Sequence, residues 1–207
     1  MSNYVITISR TCGSGGSYVG EELSKLLNIK LYEQDLLQLA SEESGISIDL
    51  FARTDEELKV NPIFRFSKYI YRGDLIPPSS SEFTSEENLF NYQAKVLKEL
   101  ADKESYIVIG RCADFVLKDT SKLIRVFIYA DKEDRISTES ARLSISAKDA
   151  ESRIDKVDKK RNEHYKYFTG RDRMNMENYD ICLNTSYLSY ENCASIIVDY
   201  LKKSDII

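Results

Sequence analysis

From Ile8 to Ser17 the chain reads ISRTCGSGGS, and these residue types suit the holding of an anion by backbone amides. A strand that breaks at glycines and restarts as a helix leaves unpartnered N–H groups at the helix mouth, where the helix dipole adds partial positive charge. Glycines let the main chain curl with those amides pointing inward, which makes a nest for phosphate. Gly13, Ser14, Gly15 and Gly16 would form that nest, and Ser17 stands where a hydroxyl could ligate a divalent cation shared between two phosphates. Against the common glycine-rich phosphate-binding template, Gly15 and Ser17 fit. Gly16 stands where the template has lysine, and Arg10 stands where it has its first glycine. Arg10 is expected to reach the phosphates and replace the missing lysine charge. A dinucleotide fingerprint fits worse, because Gly13-x-Gly15 is followed by Tyr18 where glycine or alanine belongs.

The elements that must position this turn are legible on both sides of it. Tyr4–Ile8 is a β-branched run and predicts a buried strand. A helix is predicted from near Ser17, with Val19, Leu23, Leu26 and Leu27 on one side. Ile29–Tyr32 predicts a second strand and Gln34–Glu43 a helix, while residues 46–72 predict helical pieces interrupted at Asn61-Pro62. The serine- and proline-rich stretch over residues 73–85 predicts a mobile loop. Glu86–Lys103 predicts an amphipathic helix capped by Thr84 or Ser85. Further strands are predicted at Ser105–Gly110, Leu123–Tyr129 and Asp180–Leu183, and helices at Lys132–Ser144, Ala147–Tyr167 and near Tyr190–Lys203. Strands alternating with helices predict a parallel sheet covered on both faces.

Composition narrows the field. The 207 residues carry 29 basic and 34 acidic side chains, a net charge of −5, and so no overall basic field to gather nucleic acid. Cys12, Cys112, Cys182 and Cys193 lie far apart, no Cys-x-x-Cys pair occurs, and His164 is the sole histidine, so zinc spacing is absent. Buried, reduced thiols in a cytoplasmic protein are the expectation. No stretch approaches the roughly 18 apolar residues a membrane span needs, and no charged leader precedes the first strand.

With its later segments added, the chain resembles the cytidylate kinase-like family of nucleoside monophosphate kinases within the P-loop fold. The resemblance rests on ITISRTCGSGGS, KLYEQDLL, YIVIGRCADFVL, and RIDKVDKKRNEHYKYFTGRD running on to NYDICLNTS. It implies a three-layer α/β fold with a parallel sheet of order 2-3-1-4-5, a helical acceptor-side insert over about residues 46–104 and a lid over about residues 147–173. It also implies ATP and Mg²⁺ as cofactors and cytidine monophosphate as the first-choice acceptor. Gly13, Ser14, Gly15, Gly16 and Ser17 would then wrap the donor phosphates, and Arg111, near Asp114, would grip the acceptor phosphate. Arg153 and Arg161, flanking Asp158, would close over the donor and neutralise transition-state charge together with Arg10. Arg142 is a weaker candidate, and Arg171 and Arg173 weaker still.

Glu33 and Asp35 leave alternatives open. Carboxylates at this place in related kinases approach Mg²⁺ through water or hold an acceptor hydroxyl, which would suit a hydroxylated metabolite better than a phosphate. The missing lysine keeps a third reading in view, a nucleotide-binding protein without catalysis. Tyr165, Tyr167 and His164 read as packing residues.

Overall fold

The computed structural model describes residues 3–56 and 73–207. Five strands, β1 (Val5–Arg10), β2 (Lys30–Tyr32), β3 (Tyr106–Ile109), β4 (Leu123–Tyr129) and β5 (Ile181–Asn184), form one sheet in the order β2-β3-β1-β4-β5. Every pairing is parallel. This is the order implied by the resemblance, with β1 in the middle.

Period-two side-chain alternation builds two cores from the same strands. Ile6, Ile8, Ile107 and Ile109 point to one face, where α1 (Gly16–Leu27) and α8 (Tyr190–Lys203) supply Val19, Leu23, Ile197 and Leu201. Val5, Tyr106 and Val108 point to the other face. There α2 (Asp35–Ser44), α3 (Ile48–Glu56) and α4 (Glu86–Lys103) contribute Leu36, Phe51, Leu89 and Leu97. Both faces of the central strands are therefore dry, which explains their unbroken apolar runs.

Helix α6 (Lys132–Leu143) packs on α7 (Ala147–Thr169) above the strand ends. The last turns of α7 are tied to the second core: Phe168 is fully buried and stacks on Phe90 with ring centroids 4.1 Å apart. Ser85, Ser146 and Ser189 cap α4, α7 and α8 by accepting from Asn88, Asp149 and Asn192 amides. A one-turn helix α5 (Ala113–Val116) follows β3, too short to leave a periodic signal. The chain over 73–85 runs in turns, and the expectation of helical pieces within 57–72 lies outside the described residues. Among the described residues no helix is long and apolar enough to cross a membrane. All four cysteines are free, and Cys182 is exposed on edge strand β5 against the expectation that all are buried.

Candidate active site

The glycine turn folds as an open nest. Gly13 and Gly15 adopt φ of 80° and 75°, the left-handed region in which a side chain is strained. Space forbids one as well. A Cβ on Gly13 would stand 2.7 Å from the Arg135 carbonyl oxygen, and one on Gly15 would stand 2.3 Å from the Tyr190 ring. Gly15 is the N-cap of α1 and offers no side-chain acceptor. Among the described residues nothing takes the amide protons of Gly13, Gly15, Gly16 or Ser17. Open donors at a helix mouth are the groups an anion seat would need.

Gly16 and Arg10 explain each other. A Cβ on Gly16 would lie 2.6 Å from Arg10 Cβ and 2.9 Å from its Cγ, so the arginine stem already fills the space a lysine would need. The guanidinium continues past Gly110, where a Cβ would come within 2.4 Å of Nη1, and Nη2 donates to Glu33 Oε1 at 3.2 Å. Ser17 Oγ donates to the same oxygen at 3.0 Å. The loop cation, the loop hydroxyl and a carboxylate at the end of β2 thus meet at one point.

Ser14 contributes differently from expectation. Its hydroxyl is buried and donates to the carbonyls of Thr11 (2.9 Å) and Ile128 (3.1 Å), bolting the loop to β4. Its amide also donates to the Thr11 carbonyl, at 3.4 Å.

Two cavities adjoin at the carboxyl ends of the strands, where ligands of open α/β sheets sit. The first, about 330 Å³, is lined by the glycine turn with Tyr18, Glu21, Thr138, Glu139 and Arg142. The second, about 600 Å³, is lined by Gly110, Arg111, Cys112, Lys160, His164, Tyr165 and Arg173. Arg10, Glu33, Arg153, Val157 and Arg161 line both and form the shared wall. In the second cavity Arg10, Arg111, Arg153, Lys160, Arg161 and Arg173 face a single carboxylate, Glu33, among the described residues.

Arg111 reaches this place through an unusual backbone. Gly110, Arg111 and Cys112 carry φ of 73°, 60° and 51° in succession. For the two non-glycine residues this conformation costs roughly 1–2 kcal/mol each, and such strain collects where a side chain must be aimed for a purpose. Arg111 Nη2 lies 3.5 Å from the Glu33 carbonyl oxygen.

The helix pair α6 and α7 covers the first cavity through charge. Asp158 accepts from the Cys12 amide at 2.9 Å and is bridged by Arg135, whose Nε donates to the Cys12 carbonyl at 2.7 Å. Arg161 Nη1 and Arg173 Nη1 both donate to the Arg10 carbonyl, at 3.4 Å and 2.7 Å. Burial lowers the Arg173 guanidinium from its usual range, with Asp158 opposing. Burial pushes the Cys12 thiol up and Glu139 adds to it, which favours the neutral thiol.

Two expected site residues fall elsewhere. Asp114 is buried and accepts from the Tyr165 hydroxyl at 2.6 Å, lining neither cavity. Burial raises its carboxyl above the ordinary range, with the Tyr165 hydrogen bond opposing. Asp35 opens α2, exposed, and does not line either cavity. A carboxylate there is favoured by the helix dipole. Tyr167 donates to Glu87, and His164 packs on Phe168 at 4.8 Å, as packing residues should.

Sequence reasoning overlooked Arg135 and Glu139. Helix α6 reads as charged all round, so nothing in its spacing marks Glu139 as buried or Arg135 as directed at the glycine turn.

Comparison with known proteins agrees with this geometry. The family model described as "Cytidylate kinase-like family" matches residues 5–187. The chain belongs to the cytidylate kinase-like family. A protein named cytidylate kinase from Thermoplasma acidophilum is 26% identical over 205 residues, covering 97% of this chain and 95% of the relative. An uncharacterized protein from Eubacterium ventriosum has a solved structure with a TM-score of 0.72 at 22% identity, covering 97% of this chain and 99% of that one. Shikimate kinase from Acinetobacter baumannii, solved with shikimate, gives 0.52 at 15% identity, covering 99% and 96%. Such distant structural likeness speaks to the fold, which is that of P-loop kinases. Membership of this family supports a phosphotransferase of the nucleotide and small-molecule kinase class.

Proposed function

We propose that the protein transfers the terminal phosphoryl group of ATP to a nucleoside monophosphate, with cytidine monophosphate the preferred acceptor. The observation that carries this reading is the shared wall. A cavity floored by open glycine-loop amides abuts a strongly cationic one across Arg10, Glu33, Arg153 and Arg161. A donor phosphate and an acceptor phosphate bring like charges together, and that approach needs cations on both sides of the transfer line. Catalysis of this kind is positioning plus charge stabilisation, with no protein nucleophile.

Each residue then has a task. The amides of Gly13, Gly15, Gly16 and Ser17 hold the donor phosphates, and Arg10 takes the place of the loop lysine. Arg111 grips the acceptor phosphate, while Arg153 and Arg161 neutralise charge from the α7 side and exclude water. Ser17 and Glu33 suit Mg²⁺, since a hydroxyl and a carboxylate oxygen already lie 3.0 Å apart at the loop. Held by these two groups, the ion would supply neutralisation of phosphate charge. The buried Phe168 anchors the C-terminal end of α7, so closure of the lid would swing its N-terminal half with α6.

A panel of nucleoside monophosphates, sugars and other alcohols, each with ATP and Mg²⁺ and read by ADP release, tests the proposal. Cytidine monophosphate should turn over fastest. Turnover confined to non-phosphorylated alcohols would overturn the acceptor assignment, and tight ATP binding with no turnover on any acceptor would overturn catalysis itself.

The Arg10 and Gly16 geometry yields a second prediction. Gly16→Lys alone should lower kcat/KM for ATP by at least about tenfold, because the new stem collides with that of Arg10. Combining it with Arg10→Gly restores the usual loop and should recover most of that loss. A Gly16→Lys variant more active than the parent would show that the two cations do not compete for one space.

A further inference from the structure

Glu139 is a carboxylate in a cavity meant for phosphates, a placement that repels the donor unless its charge is already spent. It is 3% exposed and accepts from both Arg142 nitrogens of one edge, Nε at 3.0 Å and Nη2 at 2.8 Å. It also accepts from Arg153 Nε at 3.1 Å. The two arginines come from different helices, Arg142 from α6 and Arg153 from α7, and both keep their side chains nearly half exposed to the cavity. The paired Nε edge fixes the plane of the Arg142 guanidinium, the single Nε bond tethers that of Arg153, and both leave their other N–H groups available to a ligand.

We propose that Glu139 is a positioning residue that holds Arg142 and Arg153 as a matched pair of forks for the donor polyphosphate, with Arg142 a direct phosphate contact. This rests on the assignment of the first cavity to the nucleotide donor. Burial pulls the Glu139 carboxyl upward, but its bonds to Arg142 and Arg153 outweigh that and hold it below the ordinary range, so the carboxylate stays charged. Flexible arginines would otherwise be ordered only on binding, at a cost in affinity. The carboxylate removes that cost in advance, and it locks α6 to α7 so that both arginines approach the donor together.

The test measures MgATP affinity by calorimetry and KM for ATP against kcat in the full-length protein. Glu139→Gln, Arg142→Ala and Arg153→Ala should each weaken ATP binding by about tenfold, the scale of one charge-assisted hydrogen bond. KM for the acceptor should stay within about twofold in Arg142→Ala, whose side chain lines only the first cavity, a split that general loss of structure would not give. Glu139→Gln introduced into the Arg142→Ala/Arg153→Ala background should add nothing further, because it acts only through those two side chains. Unchanged ATP affinity in Glu139→Gln, or an equal loss in the double-alanine background, overturns the proposal. If Glu139→Gln fails to fold, the two arginine variants decide, since undiminished ATP affinity in both is fatal to it. Absence of ATP binding in the unmodified protein would instead overturn the donor assignment, so the two failures are distinguishable.

Discussion

Arg10→Ala is expected to reduce kcat/KM for ATP by on the order of 10²- to 10³-fold, the cost of removing one strong electrostatic contact to developing charge. The Arg10 stem lies where Gly16 has no Cβ, so it emerges through the position from which the usual lysine would project. Its guanidinium then crosses Gly110 to Glu33 and stands in the wall common to both cavities. A cation placed there can follow charge as it passes from donor to acceptor, which a residue confined to one cavity cannot do. Glu33 holds the group in register while also accepting from Ser17. Arg10→Lys keeps the charge but loses the planar fork and should recover only part of the activity. Steady-state kinetics with ATP varied, alongside a thermal melt, separates this from unfolding. An alanine variant with unaltered rate and ATP affinity would remove the account of how this loop works without lysine.

Much of this arrangement could be read in advance, and the reasons differ by element. The buried strands announce themselves because Val5–Ile8 and Tyr106–Ile109 are buried throughout and Leu123–Tyr129 over most of its length. Strand order came from family resemblance, since alternation of strands and helices permits several orders. The glycine turn was visible because backbone chemistry requires particular residues at particular places, and Gly13 and Gly15 do take left-handed φ. What stayed hidden depends on burial. Asp114 sits beside Arg111 in sequence, yet one turn of helix points it into the core against Tyr165. Glu139 and Arg135 lie among other charges on α6, and only the packing of α7 shows which of them face the loop. Arg173 is a weak candidate by sequence, yet it is buried and donates to the Arg10 carbonyl. Periodicity reports faces of one element; these contacts are made between elements.

Arg111→Ala should lower kcat/KM for the acceptor by on the order of 10²-fold or more while moving KM for ATP by less than about threefold. Its side chain enters only the second cavity, whereas every cation on the shared wall serves both. The backbone offers a way to separate function from structure. Arg111 is held at φ 60° between two other left-handed residues, a conformation glycine adopts without penalty. Arg111→Gly should therefore melt at or above the temperature of the parent protein while losing acceptor turnover as completely as the alanine variant. Arg111→Lys, with charge but no fork, should have acceptor turnover between that of the parent and that of the alanine variant. A residue present for stability would give the opposite pairing, a lower melting temperature with acceptor kinetics intact. That result would locate the acceptor phosphate elsewhere among the cations of the cavity and leave the strained turn after β3 without a purpose.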